Sequence, residues 1–470
     1  MNTASNDHIS HPPSSDPPLS FGQIFRTWWP LALGWLVLTI EIPFLNAIVA
    51  RLPNPEENLA SWGLVFPIAL ILASPMMVML PTSTTLCKDW RSYQTLRKTM
   101  YTLSALMLSL HVLIAFTPAY YWLVEGIIAA PPQIVEPSRT ALQLMMPWVL
   151  SLAYRRFNYG VLIRFGYSSA VTFGALTRLA VDLVVLSTLY GIAVFAPDRI
   201  PFTGVGVATF TITMGVIGEA LYSRYRVVPV REKHLRHAPP ADEPITLRFF
   251  AAFYIPLVIT ILLRIITQPM GTAALSRMPD PIYSLAIWPV ATSVLSILSS
   301  AGIAYVETVI VLIEKPHSLP ILRRFTNGLA LLMSGILVVM ASTPLAGIWF
   351  EQIMGLASNM VSVASNSLWF ALLIPGFIVL GSFYEATLLN SRQTSTITTG
   401  VVLALASTAI LLVGGIAWGQ FAGLYVAMAA MAVGNVVRTA WLWYRAQSAL
   451  TRLGEKQRGT TQGELHSASA

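Results

Sequence analysis

Long apolar runs decide what this chain can become. A bilayer core needs roughly 20 apolar residues per spanning helix. Twelve such runs lie near 28–50, 59–86, 99–128, 138–163, 167–195, 203–226, 249–276, 284–314, 321–348, 359–389, 395–418 and 421–446. They lack the two-residue alternation of barrel strands, so helices must satisfy the backbone in lipid. Only 11% of the 470 residues are charged, against about 25% in an average soluble domain. The expectation is an all-α polytopic membrane protein with twelve transmembrane helices. The third run, interrupted at Thr117-Pro118, fits either a kinked span or a span followed by a short surface helix.

Basic residues orient the chain. Lys88, Arg91, Arg97 and Lys98, then Arg155 and Arg156, then Arg224, Arg226, Arg231, Lys233 and Arg236 fall in alternate loops. Lys315, Arg323, Arg324, Arg392, Arg445, Arg452, Lys456 and Arg458 fall on that same side, and the other side holds Arg51, Arg139, Arg199 and Arg277. By the positive-inside rule both termini are cytoplasmic in a cell membrane, and an even number of spans agrees. The formal charge of +8 is accounted for in this way, and no basic run interleaved with aromatics suggests nucleic acid. The expected organisation is a disordered cytoplasmic tail over 1–24, an N-terminal lobe of six spans over 25–227, a cytoplasmic linker over 228–247, a C-terminal lobe over 248–446 and a cytoplasmic tail over 447–470.

The two halves repeat. Pro30/Pro256, Pro43/Pro269, Arg51/Arg277, Pro53/Pro279, Pro55/Pro281 and Trp62/Trp288 all lie 226 positions apart. Near the sixth and twelfth spans the interval is 219, matching Gly204/Gly423, Gly215/Gly434, Tyr225/Tyr444 and Arg226/Arg445. Leu and Ala match by chance between apolar helices; paired Pro-x-Pro, Arg and Trp in register do not. Six spans per half make this a parallel repeat about an axis along the membrane normal. That is an architecture of secondary transporters, with a central site between rocking halves. Pro43 and Pro269 are then candidate gating kinks, or inherited structural bends.

The pattern Pro30-Leu31, Ala50-Arg51-Leu52 and Leu59-Ala60 resembles the opening of each half in the MATE multidrug exporters, which share a superfamily with polysaccharide and lipid-linked flippases. Thr117-Pro118, the Arg155–Gly166 turn and Gly204-x-x-Val207-Ala208 extend the resemblance over about residues 25–446. Ala301-Gly302-Ile303-Ala304-Tyr305 with Glu307 is also similar to bacterial relatives of the progressive ankylosis protein, an exporter of small anions. The resemblance implies a V of two bundles, alternating access and a monomeric antiporter that exports its substrate. The partners implied are a small-molecule substrate, a proton or sodium ion and the lipid bilayer.

Ionisable residues inside spans are costly and so are candidate functional groups. In proton-coupled MATE proteins the fifth helix carries Asn and Asp four residues apart. Asp182 matches that Asp, and Arg178 stands in the place of the Asn. At this spacing the two side chains share a helix face. Three readings stay open: a structural Arg178–Asp182 ion pair, an anion ligand at Arg178 held by Asp182, or a proton or sodium site on Asp182. Glu41 in the first span is a second coupling candidate, one turn before the family's acidic position at Leu45. Arg264 in the seventh is a candidate substrate ligand. Glu219 and Arg438 share a repeat position with opposite charge, and pair across the lobes or point to the cytoplasm. Glu307 and Glu385 sit in inner halves of spans, where snorkelling is cheap.

No G-x-x-x-x-G-K-[ST] or H-E-x-x-H pattern occurs, and Cys87 is the single cysteine. No cofactor, metal site or catalytic constellation is expected. A transporter of a small organic anion or amphipathic cation is the leading reading. A lipid-linked saccharide flippase is the alternative within transport, and a scaffold or lipid-modifying enzyme the alternative outside it.

Overall fold

The computed structural model describes residues 19–196, 203–239, 245–313, 315–391 and 393–468. The residues named above that fall outside these segments are Arg199, Arg392 and most of the N-terminal tail. Among the described residues, twelve helices cross the fold. In the N-terminal half they are α1 (Phe21–Thr39 and Glu41–Val49), α2 (Pro55–Leu86), α3 (Trp90–Phe116), α4 (Pro132–Leu144 and Met146–Arg164), α5 (Ser169–Phe195) and α6 (Gly204–Lys233). The C-terminal half has α7 (Leu247–Ile265 and Thr267–Leu275), α8 (Pro281–Leu312), α9 (Ser318–Ser342), α10 (Ser358–Ala371 and Leu373–Asn390), α11 (Thr394–Trp418) and α12 (Gly423–Ala468). Eleven of these are long and apolar enough to cross a membrane; α4 is the exception. The chain is an integral membrane protein.

The repeat is written into backbone detail. Both α1 and α7 break three residues before a proline, at Ile40 ahead of Pro43 and at Ile266 ahead of Pro269. A proline lacks the N–H that would bond the preceding turn, and its ring crowds that carbonyl. Asn54 and Asp280 both take left-handed φ, of 55° and 50°, immediately before Pro55 and Pro281 at the helix start. Asn and Asp tolerate that conformation best among residues with a Cβ. After Thr117-Pro118 and Thr343-Pro344 come π-helical turns at Trp122–Ile127 and Ile348–Ile353. They end at left-handed Ala129 and Gly355. The third run is thus a straight span followed by a short irregular turn.

The halves exchange their first helices. Phe21–Thr39, started by a Ser20/Gln23 capping box, packs on α8 of the other half; Trp28 shares a core there with Tyr305 and Phe383. The Trp28 indole N–H donates to the Ala301 carbonyl at 2.9 Å, and its repeat counterpart Tyr254 donates to the Pro75 carbonyl at 2.5 Å. Higher up, the Asn46 amide donates to Pro289 O at 2.9 Å, and Thr272 Oγ1 donates to Gly63 O at 3.0 Å. In both tiers donor and acceptor are each repeated 226 positions on.

The expected linker and tail begin later than their composition suggested. α6 continues to Lys233 and a 3-10 turn follows over Leu235–His237. α12 runs without a break past residue 446. Arg155 and Arg156, expected in a loop, lie inside α4, which ends at Arg164 just before the left-handed Gly166.

Candidate ion and solute sites

The break in α1 positions the first site. Glu41 opens the second segment of α1, where it is 7% exposed, and faces α5. Arg178 on α5 donates to Glu41 Oε1 through Nε at 3.1 Å and through Nη2 as well. Asp182, one turn along α5, lies 3.8 Å from Arg178 Nε and is 2% exposed. The expected Arg178–Asp182 pair is therefore subordinate: the guanidinium spends its hydrogen bonds on Glu41, and Asp182 receives none from an N–H group, its other close polar neighbour being the Glu41 carboxyl. A buried carboxylate left in that state is expensive. It has room because α6 carries glycine opposite. A Cβ on Gly215 would come within 1.9 Å of Asp182 Oδ1.

Glu219, on α6, neither pairs across the halves nor points to the cytoplasm. It is buried and accepts from Arg155 Nη1 at 2.6 Å within its own half. The reason is electrostatic: an acid in the interior of a bundle needs a counter-charge nearby, and α4 supplies one. Sequence reasoning missed Arg155, having assigned it to the surface by its charge alone.

In the other half, Arg438 likewise stays within its half and bonds Glu385 on α10. Glu385 does not snorkel. It is 8% exposed and takes a second arginine, Arg264, at 2.7 Å. Arg264 is therefore paired rather than a free anion ligand, although about half of its side chain remains exposed. These three groups border a cavity of about 460 Å³, also lined by Trp35, Thr267, Thr408 and Asn435. Glu307 is exposed and lines the same cavity.

The repeat relates the two sites directly. Glu41, Arg178 and Asp182 correspond, 226 positions on, to Thr267, Ala404 and Thr408, and all three of these line the C-terminal cavity. Thr408 nestles against Gly434 as Asp182 does against Gly215.

Two arginines tie the halves together at the end of the helices opposite Lys88 and Arg97. Arg51 Nη2 donates to the carbonyls of Gln352 and Ile353, at 2.6 and 3.0 Å. Its counterpart Arg277 donates to Ile128 O at 2.7 Å and to Ile127 O. Each guanidinium thus meets the π-helical turn of the opposite half, whose C-terminal end leaves carbonyls free. The sequence marks both as repeat and topology positions and gives no sign of this contact. The lone cysteine lies just beyond α2, and burial pushes the Cys87 thiol up to about 12.

Known structures share this fold. An inward-facing multidrug resistance MATE family transporter of the MOP superfamily aligns with TM-score 0.68 at 13% identity, over 91% of this chain and 99% of that one. The chain has the MATE fold. MurJ, a lipid II flippase in an inward closed conformation, aligns with TM-score 0.64 at 13% identity, over 91% of this chain and 90% of its own. VcmN, a MATE transporter of Vibrio cholerae in the bent form, aligns with TM-score 0.56 at 16% identity, over 92% and 97%. No family model and no curated protein matches the sequence. The MATE fold supplies twelve spans, and α4 is one of them although its buried arginine lowers its apolar character.

Proposed function

We propose that this chain is a secondary-active exporter that moves a small organic solute by alternating access, driven by a proton or sodium gradient. The observation that carries the reading is Asp182: a buried acid beside the Glu41 carboxyl, with no N–H group bonded to it, whose repeat counterpart is the neutral Thr408. A cation arriving there completes its surroundings. Cation binding biases an inward–outward equilibrium only if the two states hold it unequally. Glu41 sits on the short segment after the α1 break, so it couples that equilibrium to a helix with a built-in joint at Pro43. Pro269 gives α7 the same joint.

The solute site is the cavity beside Arg264, in the half that carries no equivalent of Glu41 and Asp182. Arg264 keeps donors for an organic anion beyond those it gives Glu385, and this favours an anion over an amphipathic cation. The Arg51 and Arg277 bonds then hold the outer face closed, and their release accompanies outward opening. The likeness to MurJ favours a second reading, the flipping of a lipid-linked saccharide.

Purified protein in liposomes, with an imposed proton or sodium gradient and a panel of labelled organic anions and cations, tests this. The expected result is gradient-driven flux that Asp182→Asn abolishes while Thr408→Val leaves it intact. Equal flux in wild type and Asp182→Asn would sink the coupling role. Translocation of a lipid-linked saccharide with no flux of soluble solutes would establish the second reading.

A further inference from the structure

Outside both sites, a second cavity of about 460 Å³ opens between α3, α4 and α6, at their arginine-rich ends. Arg97 from α3 and Arg224 and Arg231 from α6 surround it. Tyr93, 3% exposed, and Asn158, 2% exposed, form its floor. Arg231 is neutralised by Glu232 at 2.9 Å. Arg97 lies 5.7 Å from the Tyr101 ring centre. Among the described residues, no carboxylate lies within ion-pair distance of Arg97 or Arg224. The wall below them is apolar and open: Leu150 is 40% exposed and Leu221 60%.

The duplicated half supplies a control within the same molecule. The equivalent cleft, between α9, α10 and α12, keeps Arg323 in the place of Arg97 and Phe383 in the place of Phe157. It is lined by Trp443 where the first cleft has Arg224, and the counterpart of Arg231 is Leu450, which is buried and does not line it; each lies 219 positions on. Its volume is about 170 Å³. The shared helix packing therefore does not require a large cleft with three arginines at this place; they are a feature of the N-terminal half.

We infer that the cleft between α3, α4 and α6 is a binding site for the phosphate group of an anionic membrane phospholipid, with Arg97 and Arg224 on the phosphate and an acyl chain along Leu150 and Leu221. The chemistry recognised is a phosphate oxyanion, which arginine meets with paired parallel donors. A basic recess between helices at the headgroup level is suited to a lipid phosphate. The source is committed to lipid because the wall beside the arginines carries the exposed leucines Leu150 and Leu221, against which a soluble phosphate has nothing to bury and an acyl chain does.

Native mass spectrometry of the delipidated full chain in neutral detergent tests this. It is titrated with phosphatidylglycerol, with phosphatidylcholine, or with phosphatidylglycerol plus millimolar inorganic phosphate. Wild type is expected to bind one phosphatidylglycerol tightly and to prefer it over phosphatidylcholine, with inorganic phosphate failing to displace it. Arg97→Gln with Arg224→Gln is expected to weaken that binding about thirtyfold. Arg323→Gln, which removes a charge from the equivalent cleft, is expected to leave it unchanged. Arg97 and Arg224 are exposed, and an unaltered circular dichroism melt of the double variant verifies its folding. Equal weakening by Arg323→Gln would reduce the effect to bulk charge and overturn the site. Equal binding of phosphatidylcholine would overturn it too, and displacement by inorganic phosphate would overturn the lipid assignment.

Discussion

In the N-terminal half, the socket between α1, α5 and α6 is filled with charge: Glu41, Arg178 and Asp182 pack against Gly215. In the C-terminal half the same three positions hold Thr267, Ala404 and Thr408, and the space they leave belongs to an open cavity. A second reversal accompanies the first. Helices α4 and α6 are joined by an arginine on α4 and an acid on α6, whereas α10 and α12 are joined by an acid on α10 and an arginine on α12. Backbone breaks, left-handed caps and bonds between the halves survived duplication almost unchanged; polar side chains did not. Polar groups inside the membrane are therefore the part of this fold free to specialise, provided each new charge arrives with a partner.

The strongest way to break this comparison is to unpair a buried ion. Arg155→Ala takes from buried Glu219 the one arginine bonded to it among the described residues and is expected to cost about 3–5 kcal/mol, read as a fall in the thermal unfolding midpoint in detergent. Replacing both members, as Arg155→Met with Glu219→Leu, is expected to recover most of that loss, since an apolar pair of similar volume is often no worse. If the single and double variants are equally damaged, the pair does not act as a unit.

Next come the bonds between the halves. Arg51→Ala and Arg277→Ala are each expected to remove about 1.5–3 kcal/mol of support for the closed outer face. Distances between spin labels on the outer ends of α2 and α8 measure the shift. Because the arginines are repeat equivalents, the two variants should open the face by similar amounts; a large effect from only one would refute their equivalence.

Glycine substitutions sharpen the contrast between the sockets. Gly215→Ala brings a methyl within 1.9 Å of Asp182 Oδ1, and Gly434→Ala within 2.3 Å of Thr408 Oγ1. Overpacking costs about 1–3 kcal/mol in either case, measured by thermal unfolding, but only Gly215→Ala is expected to disturb ion-coupled flux. The smallest effect belongs to Arg264→Gln. With half its side chain in solvent, its contribution to stability is expected to be about 0–1 kcal/mol, whereas affinity for an anionic solute should fall. Unchanged affinity would remove Arg264 from the solute site.

Much of the architecture was legible in the sequence because bilayer thickness sets helix length and because Pro-x-Pro, Arg and Trp recur in register. The breaks near Pro43 and Pro269 followed from proline's missing donor. Partners distant in sequence were not legible. Arg178 and Asp182 could be placed on one face by spacing, but Glu41, which holds the arginine, lies 137 residues away. Arg155 looked like a loop marker because counting charge at helix ends cannot distinguish a solvated arginine from one folded against Glu219. The reciprocal tier of Asn46 and Thr272 left no trace in a comparison of residue identities, since an amide and a hydroxyl reach the same kind of acceptor.

Arg51 and Arg277 close the outer face on main-chain oxygens rather than on side chains. Such acceptors are present whatever amino acids occupy the turn. Trp122–Ile127 and Ile348–Ile353 differ at four of six positions, and each still receives a guanidinium from the opposite half. The fastening can thus stay intact while the exterior surface drifts, which leaves that surface open to evolutionary change at little mechanical risk.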